Sequence, residues 1–199
     1  MGSYNRANLG SNPGERMLQY RRVVAHPLYS TSRPFDNNYA LLELNETITS
    51  SQYVRPICLP DETNVCSSNT RSYDNRTRTI DTCSQVVAAG WGLSALDGTW
   101  QYPNELRHVA MDFLSRDQCS TLTNGELLDN ELCAGGTDGR DTCIADEGGP
   151  LMCLTNNRYT ILGVTSAGTS PICGLDDRPG IYSRVCSVIQ WIRQIVSGR

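Results

Sequence analysis

Nine cysteines stand at positions 58, 66, 83, 119, 133, 143, 153, 173 and 186 of this 199-residue chain. Thiols at that density either bridge to one another or hold a metal. Spacing decides between the two. No Cys-x-x-Cys occurs, and neither histidine, His26 or His108, lies at zinc-ligand spacing from a cysteine pair. No metal and no cofactor is expected. Disulfides are expected instead, and they need an oxidising compartment. The odd count leaves one thiol over. The sequons Asn45-Glu46-Thr47 and Asn75-Arg76-Thr77 offer glycosylation sites at Asn45 and Asn75. Together these features predict a secreted, extracellular glycoprotein.

Composition narrows the partners. Hydrophobic residues make up 39% and charged residues 19%, an ordinary globular balance. The formal net charge of −4 argues against a nucleic-acid partner held through phosphates. No stretch approaches the roughly 18 apolar residues of a membrane span. A secreted chain is expected to open on a charged segment and an apolar run. Residues 1–20 have no such apolar run, so no signal peptide is expected in this chain. Either it has been removed, or the N-terminal part of the protein lies outside this sequence.

The elements that must position these groups read as β. Tyr39-Ala40-Leu41-Leu42-Glu43-Leu44 predicts a mostly buried strand. Val109, Met111 and Phe113 alternate on one face of another. Short apolar runs at 86–89 and 161–164 end at glycine-containing segments, and Tyr182 to Val185 follows the turn signal Arg178-Pro179-Gly180. Helix signals are two. Ser115-Arg116-Asp117-Gln118 fits a capping box opening a short helix that carries Cys119. Val188, Ile189, Ile192, Ile195 and Val196 recur at helical spacing, with Gly198 as a stop. Residues 61–82 are polar and aperiodic, which reads as an exposed loop.

Residues 143–153 read Cys-Ile-Ala-Asp-Glu-Gly-Gly-Pro-Leu-Met-Cys. This resembles the nucleophile loop Cys-x-Gly-Asp-Ser-Gly-Gly-Pro-Leu-x-Cys of trypsin-like serine proteases, the chymotrypsin-fold family. Pro56-Ile57-Cys58-Leu59-Pro60, Ala89-Gly90-Trp91-Gly92, Leu132-Cys133-Ala134-Gly135, Pro179-Gly180-Ile181-Tyr182-Ser183-Arg184-Val185 and Trp191-Ile192 resemble further motifs of that family, in the family's order. The Pro-Ile-Cys-Leu-Pro form and the acidic character look most like secreted modular members, such as clip-domain proteases and their homologues.

The resemblance implies an all-β fold of two antiparallel barrels with a short C-terminal helix. The first barrel would be incomplete at its N-terminal side. Residues 1–60 would be its remnant, 61–82 a polar interdomain loop, 83–187 the second barrel and 188–199 the final helix. Met1-Gly2-Ser3-Tyr4-Asn5 resembles the strand that follows the family's His turn, so the chain is expected to start late. The resemblance also implies the bridges Cys119–Cys133, Cys143–Cys173, Cys83–Cys153 and Cys66–Cys186, the last reached partly by elimination. Cys58 is left. In modular members that position ties the protease domain to a light chain or pro-segment; the alternative is a free, partly buried thiol.

Catalysis in this family needs a Ser nucleophile, a His base, an Asp that fixes the imidazole, and backbone N–H groups around the oxyanion. The Ser slot here is Glu147. A carboxylate is a poor nucleophile toward an amide, and its charge sits where negative charge must develop. Ala145 replaces the glycine of the oxyanion turn. The Asp slot is Asn38, which cannot stabilise an imidazolium; that change costs roughly ten-thousandfold in the Ser-His-Asp template. Asp36 would reach the slot only by a two-residue register slip. No His turn is present. His26, in Ala25-His26-Pro27, resembles a non-catalytic segment of the family, and His108 opens a strand; structural or surface roles are expected for both. In active members an N-terminal ammonium pairs with the acid that is Asp146 here. Without it, Asp146 must find other donors, water or a proton, and a mobile, zymogen-like loop over 141–149 is expected.

Part of a substrate pocket survives in the sequence. Asp141, two residues before Cys143, matches the acidic floor of trypsin-like pockets, and Gly168 (in Ser166-Ala167-Gly168) and Gly180 match the small residues that keep it open. By resemblance the pocket favours Arg or Lys. The alternatives are a solvated loop acid and glycines that only serve turns. The leading functional expectation is a non-catalytic protease homologue with a protein partner, acting as a binding or regulatory module of a secreted cascade. The alternative is a trypsin-like endopeptidase cleaving after Arg or Lys, present here as a truncated or variant copy.

Overall fold

The computed structural model describes residues 1–33, 35–60, 85–96, 99–125, 127–168 and 172–198. The expected loop 61–82, with Cys66 and Asn75, lies outside them, as does Cys83.

Alternating burial builds the larger sheet. In β3 (Gln85–Gly90), Val86 and Ala88 point inward with almost no exposure while Gln85 faces water. Strand β8 (Pro150–Thr155) repeats this with Leu151 and Cys153 buried and Leu154 exposed. With β6 (Arg107–Asp112), β7 (Glu131–Ala134), β9 (Arg158–Gly168) and β10 (Gly180–Arg184) they form a six-stranded sheet in the order β6-β3-β8-β9-β10-β7. Every pairing is antiparallel.

The sheet closes on itself. Beyond β6, Phe113 bridges Ala134 at the end of β7. Leu114 N donates to Cys133 O at 3.2 Å and Gly135 N donates to Asp112 O at 3.1 Å. The two edge strands therefore meet, and no strand of this barrel presents an open ladder along that junction. Met111, Leu162 and Tyr182 fill its interior. A small hairpin, β4 (Ser94–Leu96) with β5 (Thr99–Gln101), lies apart from it.

The N-terminal part holds one two-stranded ribbon, β1 (Tyr20–Ala25) against β2 (Ala40–Leu44). Here the expectation of a mostly buried strand needs correction. Leu42 is 59% exposed, as is half of Val23, its cross-strand partner. Among the described residues no third strand covers this face, so apolar side chains stay in water. The buried residue of β2 is Glu43, held by the guanidinium groups of Arg21 and Arg22, the latter at 3.1 Å.

Two helices match the caps read from sequence. In α1 (Arg116–Leu122), Gln118 N donates to Ser115 Oγ and Ser115 N donates to Gln118 Oε1 at 2.9 Å, completing the capping box. A 3₁₀ turn (Val185–Val188) leads into α2 (Ile189–Ser197), which Gly198 caps. Cys119 on α1 is bonded to Cys133 on β7, Cα–Cα 5.9 Å, and Cys143 to Cys173, Cα–Cα 5.4 Å. Cys153 and Cys186 are also disulfide-bonded. Cys58 is a free, half-buried thiol. Its N–H donates to Tyr159 O and its carbonyl accepts from Ile161 N, so its segment runs along β9.

Candidate functional site

The segment 141–149 carries three carboxylates, Asp141, Asp146 and Glu147, and each meets a different environment. Asp146 is the most constrained. Its Oδ1 accepts from Gly92 N at 2.8 Å and its Oδ2 from Cys143 N at 3.0 Å. A Cβ at Gly90 or Gly92 would collide with this carboxyl, so both glycines of Ala89-Gly90-Trp91-Gly92 are there to admit it. Asp146 therefore has the other donors it was expected to need. Instead of loosening, the turn is tied down. Leu93 N donates to Ile144 O at 2.8 Å, Gly148 N to Thr165 O at 2.9 Å, and Thr165 N to Gly149 O at 2.8 Å. Glu147 projects from this frame and is exposed. Ala145 holds φ 72°, in the left-handed region that favours glycine.

Asn38 reaches the same region from the ribbon. Its Nδ2 donates to Ser166 Oγ at 3.2 Å, and Ser166 sits on β9 beside the residue that anchors the turn. The register question is closed by Asp36, which is engaged elsewhere. It accepts from Asn37 Nδ2 and Asn130 Nδ2 and pairs with Arg33 at 3.3 Å. His26 is a packing residue. Its ring meets Trp191 edge-on at 4.9 Å and Tyr39 at 5.8 Å, and burial lowers its proton affinity, with Asp36 partly opposing. His108 is exposed on β6, opposite Ala89. Neither histidine is brought to Asn38 or Glu147 by any contact seen in the structure.

Asp141 sits deeper, half-buried between the turn and β10. Burial pushes its carboxyl up to about 6, aided by the nearby Asp146 charge and opposed by N–H bonds from Gly174 and Thr142. Oδ1 accepts from Thr142 N at 2.8 Å, and Gly174 N approaches Oδ2 at 3.4 Å. Gly180 lies directly against it: a Cβ there would stand 2.8 Å from Asp141 Oδ1. Gly168 pairs with Gly180 across β9 and β10. Asp141 and the two glycines expected to keep a pocket open are thus one neighbourhood, with Ser166 two residues from Gly168.

The family model described as Trypsin matches residues 3–192. The chain belongs to the trypsin family. It is 27% identical to kallikrein-8 of Rattus norvegicus over 187 residues, covering 93% of this chain and 64% of that protein. Human kallikrein-8 is 29% identical over 191 residues, with the same coverage of each. Serine protease ea of Drosophila melanogaster is 34% identical over 187 residues, 88% of this chain and 43% of that protein. The chain spans less than two thirds of the length of these trypsin-family relatives.

Two residues of this trypsin-family site carry no signal in the sequence. The Tyr39 hydroxyl bridges Arg184 O at 2.9 Å and Asn130 O at 3.1 Å, 145 and 91 residues away, which clamps the ribbon to the barrel right beside Asn38. Thr165 makes two of the backbone bonds that fix the Gly148-Gly149 turn. Nothing local marks either residue, because their partners come from remote strands. Among the described residues no group of His, Cys, Asp and Glu could hold a metal ion.

Proposed function

We propose that this chain is a non-catalytic serine protease homologue, a binding or regulatory module of a secreted proteolytic cascade of immune or clotting type. The observation that carries this reading is Glu147. The nucleophile position presents an exposed carboxylate on a well-tied turn, where acyl transfer needs a hydroxyl and a site receptive to negative charge. Asn38 supports it, since a neutral amide aimed at Ser166 supplies no charge to an imidazolium. Asp141, Gly168 and Gly180 support retention of a recess for basic side chains, which makes a basic segment of another protein the natural ligand. Cys58, half-buried and unbridged, is the candidate link to a light chain or pro-domain. Asn45 is exposed at the end of β2, as glycosylation requires. No described helix is long and apolar enough to cross a membrane.

Incubating the purified chain with Arg- and Lys-containing chromogenic substrates tests the reading. The expected result is no turnover above background. Sustained turnover that copurifies with the chain and disappears on mutating Glu147 would overturn it. A second reading, a trypsin-like endopeptidase in variant form, draws on one relative's name, serine protease ea. A native transcript encoding Ser at position 147 and a His turn would favour it.

A further inference from the structure

One edge of the N-terminal ribbon turns its backbone hydrogen-bonding groups outward. His26 N donates to Tyr39 O at 2.9 Å, and Asn45 N donates to Gln19 O at 3.0 Å. Backbone groups alternate in direction along an antiparallel strand, so residues 39, 41, 43 and 45 address β1. The N–H and C=O groups of Ala40, Leu42 and Leu44 therefore point away from it. Among the described residues β2 pairs with β1 alone, and no other backbone bond reaches these three residues.

The two edges of the ribbon are built differently. Strand β1 carries the exposed side chains of Arg21 and Arg22, and its register shifts between Tyr20 and Arg22. Edge charges and bulges keep a strand from pairing with another chain. Strand β2 has neither. Residues 40–44 contain no Lys, Arg or Pro. Their one charge, Glu43, is buried, paired with Arg21 and Arg22, and alternates to the face away from Leu42.

The side chains on the outward-bonding positions share one face. Ala40, Leu42 and Leu44 stand opposite Ala25, Val23 and Tyr20. Leu42, Val23 and Tyr20 are each at least half exposed. Two strands with a wet apolar face are marginal, and three or more strands give a sheet that holds.

A second copy of this chain fits the edge because the outward set is symmetric about Leu42. Laid antiparallel, Leu42 faces Leu42 of the second copy, and Ala40 faces Leu44 on either side. Each of these pairs exchanges both backbone bonds, and no like charges meet. Pairing β1 with β1 would bring arginines together. Pairing β1 with β2 of another copy is head-to-tail and does not close.

We propose that this chain forms a two-fold dimer through β2, joining two ribbons into one four-stranded antiparallel sheet with a continuous apolar face.

Sedimentation of the disulfide-bonded chain over a range of concentrations, with amide hydrogen exchange on the same samples, tests this. A monomer–dimer equilibrium is expected. Exchange at Ala40, Leu42 and Leu44 should slow as concentration rises, while Leu41 and Glu43 are protected throughout. Leu42→Lys sets two like charges against each other at the two-fold axis, and its side chain is already in water in the monomer. It should weaken dimerisation at least about tenfold. Val23→Lys, on the same face but off the seam, should change it less than about threefold. Equal weakening by both would mean that the ribbons stack by their faces, which overturns edge pairing. A monomer at every concentration overturns the dimer; slow exchange at all three residues in that monomer would show that the chain covers its own edge. Loss of the dimer in Cys58→Ser would assign it to that thiol and also overturn the proposal.

Discussion

Asn38 and Ser166 are 128 residues apart in sequence and 3.2 Å apart in space, joined by the amide of the first and the hydroxyl of the second. This contact ties the N-terminal ribbon to β9. Asn38 is half-buried and Ser166 is buried, so removing either end leaves a polar group short of a partner. Asn38→Ala and Ser166→Ala are each expected to cost about 1 kcal/mol. Because they share one bond, the double variant should cost less than the sum. Urea unfolding of the four proteins measures this; strict additivity would show that the contact contributes nothing.

Ala145 occupies backbone that suits glycine, with φ 72°. A left-handed conformation costs an L-residue with a Cβ roughly 1–2 kcal/mol, part of which glycine loses again through its freer unfolded chain. Ala145→Gly is therefore expected to raise stability by about 1 kcal/mol, read as a higher melting temperature. A lower melting temperature would show that the Ala145 methyl makes contacts that outweigh the strain.

Gly92 admits the Asp146 carboxyl and donates its N–H to it at 2.8 Å. Gly92→Ala should displace that carboxyl and cost about 2 kcal/mol or more, a strained-packing effect. Adding Asp146→Gly should recover part of the loss, since the colliding group is then gone. Thermal melts of the single and double variants check both steps.

Asp141 gives a pH dependence of defined sign. Its folded pKa of about 6 lies above the ordinary carboxyl value, so between the two the folded chain binds more protons than the unfolded one. This group's contribution to stability is therefore highest at acid pH. It declines as pH rises from about 4, the ordinary carboxyl value, to about 6, and stays low above that. Asp141→Asn should flatten that slope and raise stability at neutral pH. Urea midpoints measured across the window test it; an unchanged slope in the variant would assign the dependence to another group.

Much of this was legible in the residues themselves. Local codes are legible where the partners are near in sequence: the Ser115–Gln118 capping box, the helical period of α2, the short apolar run in β3 and the alternation of β6. The order of motifs along the chain points to the family, and the residue types at 38 and 147 motivate the proposal of a non-catalytic homologue. Strand β2 misled, because apolar residues predict burial only when another layer exists to cover them. Leu42 and Val23 face water beside a single neighbouring strand, and Glu43 is buried because Arg21 and Arg22 compensate its charge.

What sequence alone determined, then, is identity: which family the motifs belong to, which side chains stand at positions 38, 146 and 147, and which cysteines are available to bridge. Tertiary structure decided what satisfies them. Asp146 turned out to be held by two backbone N–H groups from separate segments, Asp36 to be spent on Arg33 and Asn130, and Thr165 to be buried with its hydroxyl unused among the described residues. The remote partners, Gly92 for Asp146 and Asn130 for Asp36, are 54 and 94 residues away and are brought in by the tertiary fold. Hydrogen bonding is short-ranged, so a partner's existence is a matter of position in space, and no local pattern of residues encodes that.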